Sequence, residues 1–159
     1  MKLIRHIAIV GFFALVACSE EVKVEPYSYQ KKFTGETKKS WTIRSVQYLK
    51  TGKTTQTFTL DACVLDDLYV FYNNFERTMQ VIEGSKPCNE GDPDIIADTN
   101  WSFSNATGTL NMPMPLLTSA PYQPIPFILK EIDATKMVVD IYLEDGSAYR
   151  FNFKVASEE

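Results

Sequence analysis

The stretch KMVVDIYLEDGSAYRFNFKV, residues 136–155, decides the fold. Apolar side chains recur at every second position in its first half, at Met137, Val139 and Ile141, and again in residues 149–155. A period of two places alternate side chains on the same face of a β-strand. The intervening residues 144–146, Glu-Asp-Gly, are typical of a hairpin turn. The stretch therefore predicts two antiparallel strands, each with one buried and one wetter face.

The same pattern, short apolar runs separated by turn residues, continues toward the N-terminus. Predicted strands cover residues 41–48, 54–60, 65–73, 75–83, 101–105, 108–112, 127–133, 136–143 and 147–155. Asn73 and Asn74 separate two of them, and asparagine tolerates the positive φ of a hairpin turn. No segment has a convincing helical period. Eight or nine strands within about 118 residues predict an all-β fold, a small antiparallel up-and-down barrel of about eight strands over residues 40–156.

Composition excludes several classes of protein. The chain has 159 residues, about one domain's worth, and its 45% hydrophobic and 13% aromatic content is too high for a disordered chain. Its 16 Lys and Arg against 20 Asp and Glu give a net charge of −4. An acidic balance without a basic block argues against a nucleic-acid partner, because the phosphates require a cationic face.

The first eighteen residues have the features of an export signal. Lys2 and Arg5 precede the apolar run 7–16, which is too short to span a bilayer comfortably. The run ends in LVAC, residues 15–18, which resembles the lipobox of bacterial lipoproteins. The resemblance implies that a signal peptide, residues 1–17, is removed and that Cys18 is acylated with palmitate-like chains, which anchor the protein to a membrane. The alternative is an ordinary cleavage site followed by a coincidental cysteine.

The residues after Cys18 bear on where the protein lies. Ser19 stands where inner-membrane lipoproteins carry aspartate, so the resemblance implies the outer membrane of a Gram-negative bacterium. Ser19-Glu20-Glu21 also resembles a signal for export to the cell surface, and both the periplasmic face and the surface stay open. Residues 18–39 are polar without a regular pattern, which predicts a flexible tether.

Loss of the signal peptide changes the available chemistry. It removes Lys2, Arg5 and the single histidine, His6, so the mature chain keeps 14 basic residues against 20 acidic ones, a net charge of −6. Without histidine, Ser-His-Asp and Cys-His catalysis are excluded. Asp66 and Asp67 are adjacent, so on a strand they would face opposite sides, and one is expected to cap the turn beside Cys63.

A denser acidic segment follows later in the chain and raises the question of calcium. Its members are Glu90, Asp92, Asp94 and Asp98. It lacks the regular spacing and the distal glutamate of an EF-hand loop, which favours a solvated loop. We therefore expect no enzyme, no metal site and no cofactor.

Cys63 and Cys88 remain as a pair in an exported chain. They flank the predicted 65–83 hairpin at similar distances from its turn, so they are expected to face one another at its open end. A structural disulfide is the favoured interpretation, since the compartment is oxidising. The alternative, a redox or metal pair, lacks both CxxC spacing and a histidine.

The segment MPMPLLTSAPYQPIPF, residues 112–127, holds five of the eight prolines among apolar residues. Prolines remove ladder donors, so we expect a loop and not a central strand. Its apolar side chains are expected to form either a lid over the barrel mouth, a surface that docks a partner, or a plug folded into one end, with the plug slightly favoured. These side chains are Met112, Met114, Leu116, Leu117, Tyr122 and Phe127.

Five short segments together resemble the lipocalin-like domain of small bacterial lipoproteins over residues 38–156. They are KSWTI (39–43), DACVLDD (61–67), YVF (69–71), PC (87–88) and NWSF (100–103). The resemblance implies an eight-stranded calyx, which in true lipocalins holds small apolar ligands. This chain departs from the pattern at Lys39, where lipocalins carry glycine, and in its proline-rich insertion.

Two functions follow as hypotheses. The first is an anchored barrel that binds a small apolar or amphipathic ligand, lined or floored by aromatic side chains. The expected lining residues are Trp41, Phe71, Trp101, Phe151 and Phe153. The second is a structural or accessory envelope lipoprotein with a filled barrel, which docks a protein partner through the 112–127 loop. A small eight-stranded barrel can be filled by its own side chains, so both stay open.

Overall fold

A computed structural model describes residues 28–159 and shows an all-β protein with two short helices. The elements are α1 (Ser28–Thr34), β1 (Lys38–Lys50), β2 (Lys53–Phe58), α2 (Ala62–Leu65), β3 (Leu68–Tyr72), β4 (Thr78–Ile82), β5 (Ile95–Asn100), β6 (Ser102–Ser104), β7 (Thr109–Met112), β8 (Ile125–Ile132), β9 (Lys136–Tyr142) and β10 (Ala148–Glu158). The predicted fold class is confirmed.

The strands form one antiparallel sheet that curls into a nearly closed barrel. Neighbours follow the order β5-β4-β3-β1-β10-β9-β8-β7-β6, and β2 pairs with the second half of β1 outside this path. The described residues thus contain ten strands, against nine predicted strand segments and a predicted barrel of about eight strands. The additional strand is β5, which sequence analysis assigned to the acidic loop.

The β9–β10 hairpin has the predicted form. Its register pairs Ala148 with Tyr142 and Lys154 with Lys136. The turn is closed by the Leu143 N–H, which donates to the Ser147 carbonyl at 2.9 Å, and Gly146 supplies a φ of +77°. β10 pairs with β1 on one side and with β9 on the other, so this hairpin forms the centre of the sheet.

The β3–β4 hairpin is also confirmed, with its turn in residues 73–77. The predicted positive φ at Asn73 and Asn74 is wrong, because the left-handed residue is Arg77, with a φ of +54°. Asn74 instead accepts the Thr78 N–H at 2.9 Å through its side chain. Asn74 therefore stabilises the turn by side-chain hydrogen bonds.

The flexible tether predicted over residues 18–39 is wrong for residues 28–39. They form α1 and the start of β1, and the Phe33 ring is fully buried against aromatic side chains of the barrel. Its centroid lies 5.9 Å from that of Phe71, 5.4 Å from Trp101 and 5.2 Å from Phe103. The Trp41 Nε1–H donates to the Phe33 carbonyl at 2.9 Å. One deeply buried aromatic therefore holds a short polar helix that has no helical pattern of its own.

The predictions for the signal peptide, Cys18 and the first part of the tether lie outside the described residues. Within residues 28–159, no helix has the length and apolar character needed to cross a membrane.

Replacing the buried ring that holds α1 tests its structural role. We expect Phe33→Ala to lower the free energy of unfolding by about 3–5 kcal/mol, the usual cost of removing a fully buried phenylalanine. The matched control is Phe75→Ala, since Phe75 is 98% exposed at the β3–β4 turn, and we expect a change within about 0.5 kcal/mol. Urea denaturation measures both. Equal effects of the two substitutions would contradict the role assigned to Phe33.

Candidate functional site

A pocket of about 450 Å³ opens beside the end of the β3–β4 hairpin that is away from its turn. We call it the mouth cleft. It lies between the start of β3, the loop after β4 and the loop that joins β7 to β8. Its lining comprises Val64, Asp67, Tyr69, Glu83, Cys88, Asn89, Asp92, Pro93, Ile96, Pro115, Leu116, Ala120 and Tyr122. Carboxylates, tyrosines and aliphatic side chains therefore share one concave surface.

The predicted disulfide between Cys63 and Cys88 is confirmed, with Cα atoms 5.1 Å apart. It joins α2 to the loop after β4, and both elements contribute to the mouth cleft. With a sequence separation of 25, the bridge stabilises the fold by about 3.5 kcal/mol in the chain-entropy model. It thereby holds one wall of the cleft in place.

Asp66 and Asp67 point to different surroundings, as their adjacency predicts. The Asp66 carboxylate accepts the Ser85 hydroxyl at 3.1 Å and the Lys86 N–H at 3.0 Å. A Cβ at Gly84 would overlap this carboxylate, so the close approach requires glycine there. Asp66 therefore does not cap a turn beside Cys63, as predicted. Its hydrogen bonds instead hold the loop that leads to Cys88. Asp67 is left free to face the cleft.

The cleft carries two neighbouring carboxyl groups, Asp67 and Glu83. Asp67 is 8% exposed, and one of its oxygens accepts the Gly84 N–H at 3.3 Å. Glu83 Oε1 is buried and has no hydrogen-bond partner within residues 28–159. Burial, followed by the charge of Glu83, raises the pKa of Asp67 to about 6, although the Gly84 N–H opposes the shift. At neutral pH Asp67 is therefore mostly ionised, and no cationic side chain is among the groups that shift its pKa.

Tyr69 brings a buried hydroxyl to the same cleft. Its side chain is 1% exposed, and the hydroxyl donates only to the Met114 sulfur, at 3.5 Å. Burial, and to a lesser degree Asp67, raises the pKa of Tyr69 above its usual range, so the phenol stays protonated. Because thioether sulfur is a weak acceptor, the hydroxyl is available to a better partner.

A second pocket, of about 280 Å³, lies next to the mouth cleft and is mostly apolar. We call it the apolar groove. It is lined by Val46, Phe58, Thr59, Leu60, Leu116, Leu117, Tyr149 and Phe151. Leu116 also lines the mouth cleft, so the two pockets flank one side chain. Together they offer a charged region beside an apolar one.

The five aromatic residues predicted to line a ligand cavity lie in the barrel core. Trp41, Phe71, Trp101, Phe151 and Phe153 are each at most 2% exposed. Four of them, all but Trp41, contact a neighbouring ring within residues 28–159, as Phe153 does with Tyr69 at a centroid distance of 5.3 Å. Phe151 alone of the five also lines the apolar groove. Their role in ligand binding stays a prediction, and their observed contribution is to the core.

The 112–127 segment divides between the core and the mouth. Met112, Met114 and Phe127 are fully buried, as expected of a plug. Leu116 and Leu117 are 39% and 41% exposed, whereas Tyr122 is half-buried in the mouth cleft. β8 begins at Ile125, so Pro126 lies inside a strand, opposite Asn111, contrary to the expectation of a loop up to residue 127.

The segment predicted to be an acidic loop also contains a strand. Asp98 lies on β5 and accepts the Gln80 Nε2–H at 3.1 Å, while Asp92 accepts the Asn89 N–H at 2.8 Å in the preceding loop. In the part of the chain from residue 28 onward, no three histidine, cysteine or acidic residues are grouped so as to hold a metal ion.

Glu83 and Ile96 of the mouth cleft belong to no sequence motif that predicts a binding site. Glu83 directly follows β4 and Ile96 lies near the start of β5, and only the fold brings them to the same cleft as Asp67. Comparison with protein-family models, curated proteins and solved structures finds no match. The predicted lipocalin-like resemblance is supported at the level of architecture, because the antiparallel barrel is nearly closed.

The raised pKa of Asp67 predicts a pH-dependent stability. The folded protein holds this proton more tightly than the unfolded chain, since the pKa rises from 3.8 to about 6. Stability contributed by the protonated group is therefore complete below about pH 4 and is lost as the pH rises through 6. Asp67→Asn should gain at most about 2 kcal/mol relative to wild type between pH 4.5 and 7.5.

Urea denaturation across this pH range measures the effect. The groups that act on Asp67 are Glu83, Asp66, Asp92 and the Gly84 N–H, and all stay unchanged in the variant. The control is Glu144→Gln, which removes an exposed carboxyl in the β9–β10 turn. A constant difference between Asp67→Asn and wild type at all pH values would contradict the assignment.

Proposed function

We propose that this protein is a lipid-anchored, non-catalytic binding protein of a Gram-negative outer membrane, which holds a small amphipathic ligand at the mouth of its barrel. The observation that carries the proposal is the mouth cleft of about 450 Å³ beside the apolar groove of about 280 Å³. Ligand sites typically have volumes of about 300–1,000 Å³ and combine apolar walls with a few polar groups.

The proposed site is at the mouth, in contrast to the interior calyx that the lipocalin-like resemblance implies. The interior is occupied by a continuous cluster of buried side chains, among them Trp41, Phe71 and Phe153. Binding there would require these side chains to move apart, at the cost of their mutual contacts. The mouth cleft, by comparison, is already formed.

An anchor at Cys18 would fit the position of α1 on the barrel. Gln30 of α1 donates to the Asn73 side chain at 2.8 Å, so the helix lies at the turn end of the β3–β4 hairpin. The mouth cleft lies at Asp67, six residues and about 20 Å away along the strand. A tether that enters through α1 would therefore direct the mouth away from the membrane.

The accessory role stays as a second candidate, because Leu116 and Leu117 are exposed on the same rim. An exposed pair of leucines is a small apolar surface for a protein partner. The same residues also line the apolar groove, and a formed pocket favours a small ligand over a flat contact.

Binding of a neutral fluorescent probe tests the proposed site. We expect N-phenyl-1-naphthylamine to bind with enhanced fluorescence, and the Leu116→Ala/Tyr122→Ala variant to weaken its affinity about tenfold or more, because both pockets lose a wall. The matched control is Leu143→Ala, since Leu143 is 40% exposed in the β9–β10 turn. An absence of binding to the wild type, or equal binding by both variants, would overturn the mouth site.

Metabolic labelling with an alkyne analogue of palmitate tests the anchor. We expect the full-length chain to take up the label and to fractionate with membranes. Cys18→Ser should lose both properties, while the neighbouring Ser19→Ala should keep them, because the acyl chains attach to the cysteine. Label that persists in Cys18→Ser would refute lipidation at this residue.

A further inference from the structure

We infer that the ligand is a cationic amphiphile, with an ammonium group held between Asp67 and Glu83 in the mouth cleft and an apolar chain in the apolar groove. The inference rests on the proposed function and adds the chemical class of the ligand. It depends on three features of the described residues: an unsatisfied buried acceptor, tyrosine side chains that line the same cleft and an adjoining apolar pocket.

The unsatisfied acceptor is Glu83 Oε1, which is buried in the cleft wall without a hydrogen-bond partner within residues 28–159. Asp67 adjoins it and is 8% exposed, and its Gly84 contact at 3.3 Å is long for a carboxylate acceptor. The ion pairs within the same residues involve neither group. A buried carboxylate left unpaired is costly, and an ammonium group supplies both the opposite charge and N–H donors.

Tyr69 and Tyr122 line the same cleft. The face of an aromatic ring attracts an ammonium ion, and the attraction grows as the cation is desolvated. Among residues 28–159, no lysine or arginine lines the cleft, so these residues offer an anionic head no opposite charge. The charge and the rings therefore favour a cation over a neutral or anionic head group.

Leu116 connects the charged region to the apolar one. It lines both the mouth cleft and the apolar groove, where it faces side chains such as Phe58, Leu60 and Tyr149. A chain that passes Leu116 would place its head beside the carboxyl groups and bury its methylene groups in the groove. The arrangement fits one amphiphilic molecule better than two separate ligands.

Three ten-carbon compounds with different head groups provide the test. Decylamine, decanol and decanoate compete with N-phenyl-1-naphthylamine for the wild-type protein at pH 7.5, below their critical micelle concentrations. We expect decylamine to bind about tenfold or more tightly than decanol, as one charge-assisted interaction predicts, and decanoate to bind most weakly.

The ratio of the decylamine and decanol affinities isolates the charge preference. We expect it to fall to about one in Asp67→Asn/Glu83→Gln, whichever way the affinity for the probe itself moves. In the control Glu144→Gln, an exposed carboxyl is lost outside the cleft, and the ratio should be kept. Circular dichroism establishes that each variant is folded.

The outcomes separate the two proposals. Equal affinity for decylamine and decanol, or a preference that survives in the double variant, overturns the cationic ligand and leaves the mouth site standing. Failure of all three compounds to displace a bound probe also overturns the amphiphile. Failure of the probe itself to bind overturns the mouth site.

Discussion

The barrel depends on one covalent constraint at Trp101. The outermost strands of the sheet, β5 and β6, are consecutive in the chain and are separated only by this residue. Because consecutive Cα atoms are about 3.8 Å apart, the two edges meet within about 7.6 Å and the sheet must curl. The Trp101 N–H donates to the Arg77 carbonyl at 2.9 Å, and its ring is 2% exposed beside Phe33 and Phe71. Its Nε1 is buried without an acceptor among residues 28–159, a cost that closure and ring contacts must outweigh.

Closure of the barrel determines which part of the protein can hold charged side chains. A small barrel leaves room inside for its own side chains, and here Phe33 enters the interior from α1 while Met114 enters from the β7–β8 loop. Charged groups in such an interior would lose their hydration without compensation. Asp67 and Glu83 are tolerated because they lie in an open cleft at the mouth. The apolar core and the polar cleft are thus consequences of the same closed geometry.

Sequence patterns predict the parts of this fold that depend on local chemistry. The alternation around Val139 and the glycine turn predict β9–β10, and the placement of Cys63 and Cys88 predicts their bridge. Sequence patterns fail to predict the elements whose formation depends on tertiary contacts. β5, with the sequence IIADTN, lacks alternation and is formed by pairing with β4, and α1 is held by tertiary contacts such as those of the buried Phe33 ring. The approach of Glu83 to Asp67 depends on strand register, which neither residue's neighbours encode.

The proposed binding role would account for cleft carboxyl groups that contribute little to folding. Asp66 holds the loop after β4 through hydrogen bonds to Ser85 and Lys86. Asp67 accepts one long hydrogen bond, and its ionisation near pH 6 works against the folded state. A group that destabilises the fold at neutral pH, in a formed pocket, has the character of a functional residue. A cation that binds the ionised pair would recover this free energy, because a ligand that binds only the folded state stabilises it.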